Sequence, residues 1–344
     1  MRRIGNIIDK VASVENIEQA IHDALKHRGK NNALSKDAKV FLLNKEKNIQ
    51  EIRNSLLSGD IGTLYYKTFF RTEHGKRRKI DWNPSFRDNV IQHALFNEVG
   101  NRIVDKFITN TFSGIEGRGS SYGKRRIQSF LKTLDPCLPV YILKLDIRHY
   151  YQSVNLLILK DKVRSVVKDK TVIKIFDQII DSHQEGLPIG NYISQLLANL
   201  YLNDLDHWVT DMLGFKGYFR YCDDIIIIHT SKVALWSLLK EIKSYVKSID
   251  LTIKPTAQVY PIDSFGLDFM GFVFHRESIT LRKRIERGFR SSINKFNVSP
   301  EEKIYASIAA YYGWTTELTQ GYKLWKRVVK RPLKDCLYEM RGVQ

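Results

Sequence analysis

The sequence predicts an α+β fold, and three observations carry that expectation. Strand-like and helix-like segments alternate irregularly, unlike the regular strand–helix repeat of a parallel doubly wound sheet. A hairpin forms the centre: Gly217-Tyr218-Phe219-Arg220, then Tyr221-Cys222-Asp223-Asp224, then the apolar run Ile225-Ile226-Ile227-Ile228. The 344 residues are 43% hydrophobic and 27% charged, a globular composition with no internal repeat and no long linker. That length suffices for about two or three subdomains with more than one core.

Taken in order, residues 1–60 read as mostly helical. Ser35 is placed to cap one helix, and an amphipathic stretch from Asn48 to Leu57 closes at Gly59. Residues 61–82 read as a basic hairpin, with aromatic Tyr65-Tyr66 and Phe69-Phe70, a Glu73-His74-Gly75 turn and Arg78-Lys79-Ile80. Pro84 is expected to initiate a helix running through His93 towards Val104, followed by a glycine-rich loop of Gly114, Gly117, Gly119 and Gly123. Tyr141 to Leu145 reads as a strand ending on Asp146, with helical stretches to Ser182. The loop Gly186-Leu187-Pro188-Ile189-Gly190-Asn191 then enters an amphipathic helix from Ser194 towards Trp208. A helix over 233–248, one or two strands through Phe274 and a basic helical region over 281–344 complete the chain.

Charge narrows the function classes. With 55 Lys+Arg against 37 Asp+Glu the net charge is +18, an excess that does not help folding and predicts a polyanionic partner. The basic residues cluster as Arg71, Lys76, Arg77, Arg78 and Lys79, as Arg118, Lys124, Arg125 and Arg126, and as Lys283, Arg284, Arg287 and Arg290. A solvated helix face explains any one cluster; three around a carboxylate site favour nucleic acid. Cys137, Cys222 and Cys336 are widely spaced and odd in number, neither a disulfide framework nor a zinc site, which fits a reducing cytoplasm. The apolar runs fall short of a membrane span, and the N-terminus lacks a signal-peptide pattern.

Asp223 and Asp224 place two negative charges in one turn. Like charges so close repel, and a hard divalent cation such as Mg²⁺, which takes carboxylates together with phosphates, resolves the repulsion. Asp146, at the end of an apolar strand, supplies a third carboxylate. Three together suit two-metal phosphoryl transfer, with two ions about 3.5–4 Å apart. Two plainer readings stand beside this: an ordinary Asp-Asp turn, and Asp146 as the cap of a helix beginning near Ile147.

Five ordered motifs resemble those of reverse transcriptases, over roughly residues 45–340. They are Arg87-Asp88-Asn89-Val90-Ile91-Gln92-His93-Ala94-Leu95, Asp146-Ile147-Arg148-His149-Tyr150-Tyr151, and Gly186 through Gln195. Tyr221-Cys222-Asp223-Asp224 and Phe269-Met270-Gly271-Phe272 follow. The resemblance implies a right-hand polymerase architecture with an antiparallel palm sheet and a basic helical thumb. Its parts are an N-terminal helical extension (1–44), fingers (45–135), palm (136–274, with a helical insertion near 155–185) and thumb (275–344). It implies catalysis by Asp146, Asp223 and Asp224 holding two Mg²⁺ ions, with Mn²⁺ as a substitute. Lys76 and Arg78 would hold the triphosphate. Tyr151, under the incoming sugar, would exclude a 2′-hydroxyl, Ile189 and Gly190 would border the nucleotide, and Tyr221 would pack on the primer terminus. Arg118, Lys124, Phe269, Gly271, Lys283, Arg284, Arg287 and Arg290 would contact nucleic acid. The implied partners are a structured RNA template, a DNA or RNA primer, deoxynucleoside triphosphates, and an accessory protein or a second copy.

Departures refine this. Ile189 stands where many relatives carry glutamine, whose amide can hydrogen-bond the nucleotide; losing such a contact costs on the order of 1 kcal/mol and loosens selection. Ile189-Gly190-Asn191 with Ser194-Gln195 resembles the diversity-generating retroelement branch, whereas Tyr-Cys-Asp-Asp resembles defence-associated enzymes. The family's late lysine, expected near Ala257, is absent with Lys254 close by, and Ile115 stands where an arginine is common. An error-prone retroelement polymerase is the expectation. The alternatives are an antiviral polymerase copying a noncoding RNA, one that extends DNA without a template, and a non-catalytic RNA-binding scaffold.

Overall fold

Four helices open the chain: α1 (Ile8–Val11), α2 (Val14–Lys26), α3 (Lys36–Leu43) and α4 (Lys45–Ser58). The computed structural model describes residues 3–26, 34–73, 75–298, 302–316 and 318. Ser35 caps α3, its hydroxyl accepting from the Ala38 amide. Gly59 ends α4 in the left-handed region, with φ of 66°. The basic hairpin is β1 (Lys67–Glu73) antiparallel to β2 (Lys76–Trp82), with Glu73 opposite Lys76.

Pro84 does not itself begin the next helix. Ser85 is the cap because its hydroxyl can accept from the Asp88 amide, so α5 runs Phe86–Leu95 and packs on α2. A π turn (Phe96–Gly100) and α6 (Asn101–Val104) carry the chain to Val104, as expected. After β3 (Thr111–Phe112) comes a helix the glycine-rich reading missed, α7 (Ser120–Thr133), which includes Gly123. One glycine costs a helix about 1 kcal/mol, and burial of Ile127 and Leu131 outweighs it.

β4 (Tyr141–Asp146) ends on Asp146, as the apolar run predicts. Asp146 caps no helix: Ile147 bridges to Ile253, and α8 (Tyr150–Ser153) starts only after His149 at φ 47°. α9 (Leu156–Val166) and α10 (Lys170–Asp181) follow, capped by the Asn155 and Asp169 side chains. α11 (Ser194–His207) continues as a π turn through Met212. The central hairpin is β5 (Tyr218–Tyr221) and β6 (Asp224–His229), with Ile225–Ile228 buried. Then come α12 (Lys232–Ser248), β7 (Gln258–Pro261), α13 (Ile262–Phe265), β8 (Leu267–Phe269), β9 (Phe272–Phe274), β10 (Ile279–Leu281), α14 (Lys283–Val298) and α15 (Glu302–Thr316). The region from 281 therefore opens on the end of a strand before it turns helical. Its expected helical continuation beyond 318, and Cys336, lie outside the described residues.

The main sheet has five strands in the order β3-β5-β6-β4-β7. It is not wholly antiparallel, because β3 runs parallel to β5 with Phe112 beside Tyr221. A long connection joins those two strands, so no tight hairpin dictates their direction. β8, β9 and β10 form a separate antiparallel sheet. The chain divides into two compact units, Met1–Glu116 with Lys144–Ile226 and Ser237–Ala257, and Gly117–Leu143 with Ile227–Trp236 and Gln258–Gln344. Among the described residues no helix is long and apolar enough to cross a membrane.

Candidate active site

Two strands and one turn of the first unit assemble the carboxylates. β4 delivers Asp146 at its end, and the β5–β6 turn, Cys222-Asp223, delivers Asp223. The Ile147 amide donates to the Asp223 carbonyl at 3.3 Å, tying the end of β4 to that turn. Burial, then the negative charge of Asp146, holds the Asp223 carboxyl above its usual range. Lys254 sits beside them: its Nζ lies 2.7 Å from the Asp146 carboxylate and its amide donates to the Asp146 carbonyl at 2.8 Å. With both side chains about one-third exposed, this ion pair neutralises charge more than it stabilises the fold.

Asp224 is the first residue of β6 and half-buried. The structure brings Asp146 and Asp223 together; among the described residues no group of three His, Cys, Asp or Glu side chains is arranged to hold a metal. The chemistry of the pair nonetheless suits a divalent cation. Two hard oxygen donors stand in mutual repulsion, which together with burial holds the Asp223 carboxyl above its usual range.

Tyr151, on α8, is largely buried beside the same turn, the Cys222 thiol donating to its hydroxyl at 3.5 Å. Burial first, then the nearby Cys222 and Asp223, pushes its phenol far above the ordinary value, so the ring stays neutral. Its carbonyl accepts from Leu187 at 2.8 Å, which pins the 186–191 loop under the tyrosine. Gly186, at φ 64°, is required there because a Cβ would come within 2.2 Å of the Tyr151 carbonyl oxygen. Gly186→Ala is expected to cost about 2–4 kcal/mol from left-handed strain and overlap, read as a lowered Tm in thermal unfolding.

Ile189 is half-buried and Gly190 is exposed at φ 115°, where a Cβ would lie 3.5 Å from the Asp81 carbonyl and Ile80. The loop thus seats on β2. Gln92 fixes it from α5, donating to Asn191 Oδ1 at 2.7 Å and accepting from the Ile193 amide at 3.2 Å. Asp81 holds β2 to the same region, accepting from Thr68 at 2.6 Å and lying 3.1 Å from His183 Nε2. On the hairpin, Arg78 is exposed and directly opposite Arg71, and Lys76 opens β2, with its side chain outside those described. Phe69 and Phe70 are exposed, with the Arg77 guanidinium 4.0 Å over the Phe70 ring.

Sequence reasoning missed a buried polar network behind the turn. Arg220 of β5 and Asp206 of α11 form an ion pair with no exposed surface, joined by Tyr218, Thr111 and Asn199. Burial alone would lower the Arg220 pKa, but the Asp206 charge outweighs it and raises it. The available signal was an arginine inside an otherwise apolar strand. Tyr221, the last residue of β5, is half-buried.

The remaining candidates lie in the second unit. Arg118 is half-buried ahead of α7. Lys124 is not a surface residue: it is 7% exposed, with Nζ 6.0 Å over the Phe272 ring, because its long stem packs inside α7's buried face. Phe269 is fully buried in β8, its apolar ring drawn into the core, so it supports the following turn instead of presenting its face. In that turn Met270 and Gly271 have φ of 51° and 89°, and a Cβ on Gly271 would meet Trp314 and Ile285 at 2.8–2.9 Å. Lys283, Arg284 and Arg287 are exposed on α14, whereas Arg290 pairs with Glu286 at 2.7 Å.

The chain matches the family described as Reverse transcriptase (RNA-dependent DNA polymerase) over residues 97–272, just over half its length. Protein YkfC of Escherichia coli (strain K12) is 22% identical over 299 residues, 74% of this chain and 76% of that protein. Retron Ec73 reverse transcriptase of Escherichia coli is 25% identical over 199 residues, 53% of this chain and 59% of that protein. Two solved telomerases share the fold. Apo telomerase from Candida tropicalis, truncated from its C-terminal domain, has a TM-score of 0.52 and 12% identity over 64% of this chain and 56% of that one. Telomerase from Candida albicans, in complex with a TWJ fragment of telomeric RNA, has 0.52 and 9% over 88% and 64%. The chain spans less than two thirds of either telomerase and of the retron enzyme. The α+β fold is that of the right-hand polymerases. With the family match covering Asp146, Tyr151, Asp223 and Asp224, the chain belongs to the reverse transcriptases, the RNA-dependent DNA polymerases.

Proposed function

We propose that the chain copies a structured RNA into DNA by metal-dependent nucleotidyl transfer at Asp146 and Asp223. The observation that carries this is the meeting of two carboxylate residues from a strand end and a separate turn, tied by the Ile147 amide donating to the Asp223 carbonyl at 3.3 Å. Asp146 and Asp223, and Asp224 by the family resemblance, would hold divalent cations, of which we assign two Mg²⁺ with Mn²⁺ as a substitute. When bound, such ions activate a 3′-hydroxyl and stabilise the leaving pyrophosphate.

The chain's own residues do the rest. Tyr151, held by the 186–191 loop and the Cys222 thiol, presents a rigid neutral ring where a 2′-hydroxyl would otherwise fit. Arg78 and Lys76 on the hairpin would hold the triphosphate, and Tyr221 would pack on the primer terminus. Exposed Lys283, Arg284 and Arg287, with Arg118 and Arg290, would follow the duplex backbone without reading sequence. Lys124 and Phe269, both buried, would act through packing, and Gly271 would shape the turn that meets the primer. We assign fingers to 45–135, palm to 136–274 and thumb to 275–344, after a helical extension over 1–44. A DNA or RNA primer, deoxynucleoside triphosphates and an accessory protein or second copy complete the system, in the cytoplasm.

Primer extension on an RNA template tests the activity. DNA synthesis is expected in Mg²⁺ and is expected to stop on chelation and resume on readdition; synthesis that persists in chelator overturns the metal assignment. Ile189 presents methyl groups where an amide would discriminate, which supports an error-prone enzyme of a diversity-generating retroelement. Ile189→Gln is expected to lower misincorporation by about three- to tenfold, one hydrogen bond's worth, scored by sequencing the product. The Tyr221-Cys222-Asp223-Asp224 form supports a second reading, antiviral defence by copying a noncoding RNA. Nucleic acids co-purifying from the native host separate the two: adenine-directed errors support the retroelement, faithful copies of one noncoding RNA support defence.

A further inference from the structure

Arg220 and Asp206 are fully buried, a placement that stability does not explain. Desolvating such a pair costs several kcal/mol per ion, and well-packed apolar residues of similar volume do as well or better. The guanidinium is nonetheless saturated. Nε donates to Asp206 Oδ1 at 2.7 Å, and one terminal nitrogen donates to Asp206 Oδ2 at 2.5 Å and to the Asn199 carbonyl at 3.2 Å. The other donates to Asn199 Oδ1 and to the Cys222 carbonyl, each at 3.0 Å. Asp206 in turn accepts from Tyr218 at 2.6 Å and from Thr111 at 3.0 Å. Asn199 and Asp206 lie seven residues apart on one face of α11, so the fork is anchored to a single rigid element.

One of these bonds leaves the core and reaches the catalytic turn. Cys222 has φ of 56°, a left-handed conformation that is strained for a non-glycine residue and persists only where its surroundings impose it. Its carbonyl belongs to the same planar peptide as the Asp223 nitrogen, so orienting that carbonyl orients the Asp223 Cα.

We infer that Arg220 is a positioning residue: braced on α11 by Asp206 and Asn199, it holds the Cys222–Asp223 peptide and so sets where the Asp223 carboxylate stands. The inference rests on the nucleotidyl-transfer reading above. A misplacement of about 1 Å at a reacting centre can cost on the order of a hundredfold in rate, which makes the strut worth burying.

The test separates positioning from folding. The variant Thr111→Val/Asp206→Leu/Tyr218→Phe/Arg220→Met replaces the network by apolar side chains of similar size and deletes the bond to Cys222. It is expected to melt cooperatively and to bind template–primer as the parent does. Its kcat for primer extension should fall about a hundredfold, with KM for nucleotide within about threefold. Arg220→Lys, which keeps the charge but cannot fork between Asp206 and Cys222, is expected to lose kcat in the same sense. A folded fourfold variant with near-parental kcat overturns the inference, as does failure of both variants to fold, which would assign the pair to folding alone. Asp223→Asn run in parallel checks the underlying site: synthesis surviving it would remove the site assignment itself.

Discussion

Asp223→Asn is expected to lower DNA synthesis by about a thousandfold or more, because asparagine keeps the shape but removes an anionic donor from the reacting centre. The same change is expected to stabilise the fold. The Asp223 carboxyl is held above its ordinary range by burial and by Asp146, so the folded chain binds this proton more tightly than the unfolded chain. Stability from this group is therefore present at low pH and is lost as pH rises from the unfolded value through the folded one. The repulsion grows as Asp223 ionises with rising pH, and the neutral amide removes it. In chelator, the Tm of Asp223→Asn should exceed the parent's at pH 7, with the gap closing as pH falls into the carboxylate range. Template–primer affinity, which we assign to the basic residues of α14, should be unchanged. A variant that keeps parental synthesis, or that melts lower at pH 7, contradicts this account.

Asp206→Ala is the second large effect, and it acts on stability first. Removing one partner leaves Arg220 charged in a site with no solvent, which costs about 3–5 kcal/mol. Tyr218 and Thr111 lose their acceptor at the same time. Denaturant unfolding should show a lowered midpoint with little change in slope. An apolar replacement of the whole network should not share this penalty, because it buries no lone charge. A loss below about 1 kcal/mol would mean that water or a second anion reaches Arg220.

The motifs were legible in the sequence because they are local. Asp146 at a strand end, the Cys222-Asp223 turn and the isoleucine run each follow from a short stretch whose periodicity does not depend on distant partners. The caps at Ser35 and Gly59 were legible for the same reason. Helix α7 was not, because four glycines in and before it outweigh in sequence what Ile127 and Leu131 recover by burial. Nor was the direction of β3, which two residues and a long connection cannot specify.

Lys124 and Phe269 mark another boundary. Their residue types suggest a nucleic-acid surface, yet one is buried over Phe272 and the other is core, since burial is decided by what packs on top. The sequence alone determined the family, the carboxylates and the basic character of the chain, all of which are written in residue identity and short spacing. Only the tertiary structure decided that Asp146 and Asp223 stand together with Lys254 beside them, and that a buried arginine reaches the turn from behind. Those depend on pairing between strands and helices far apart in the chain, where side-chain direction and desolvation set which groups meet.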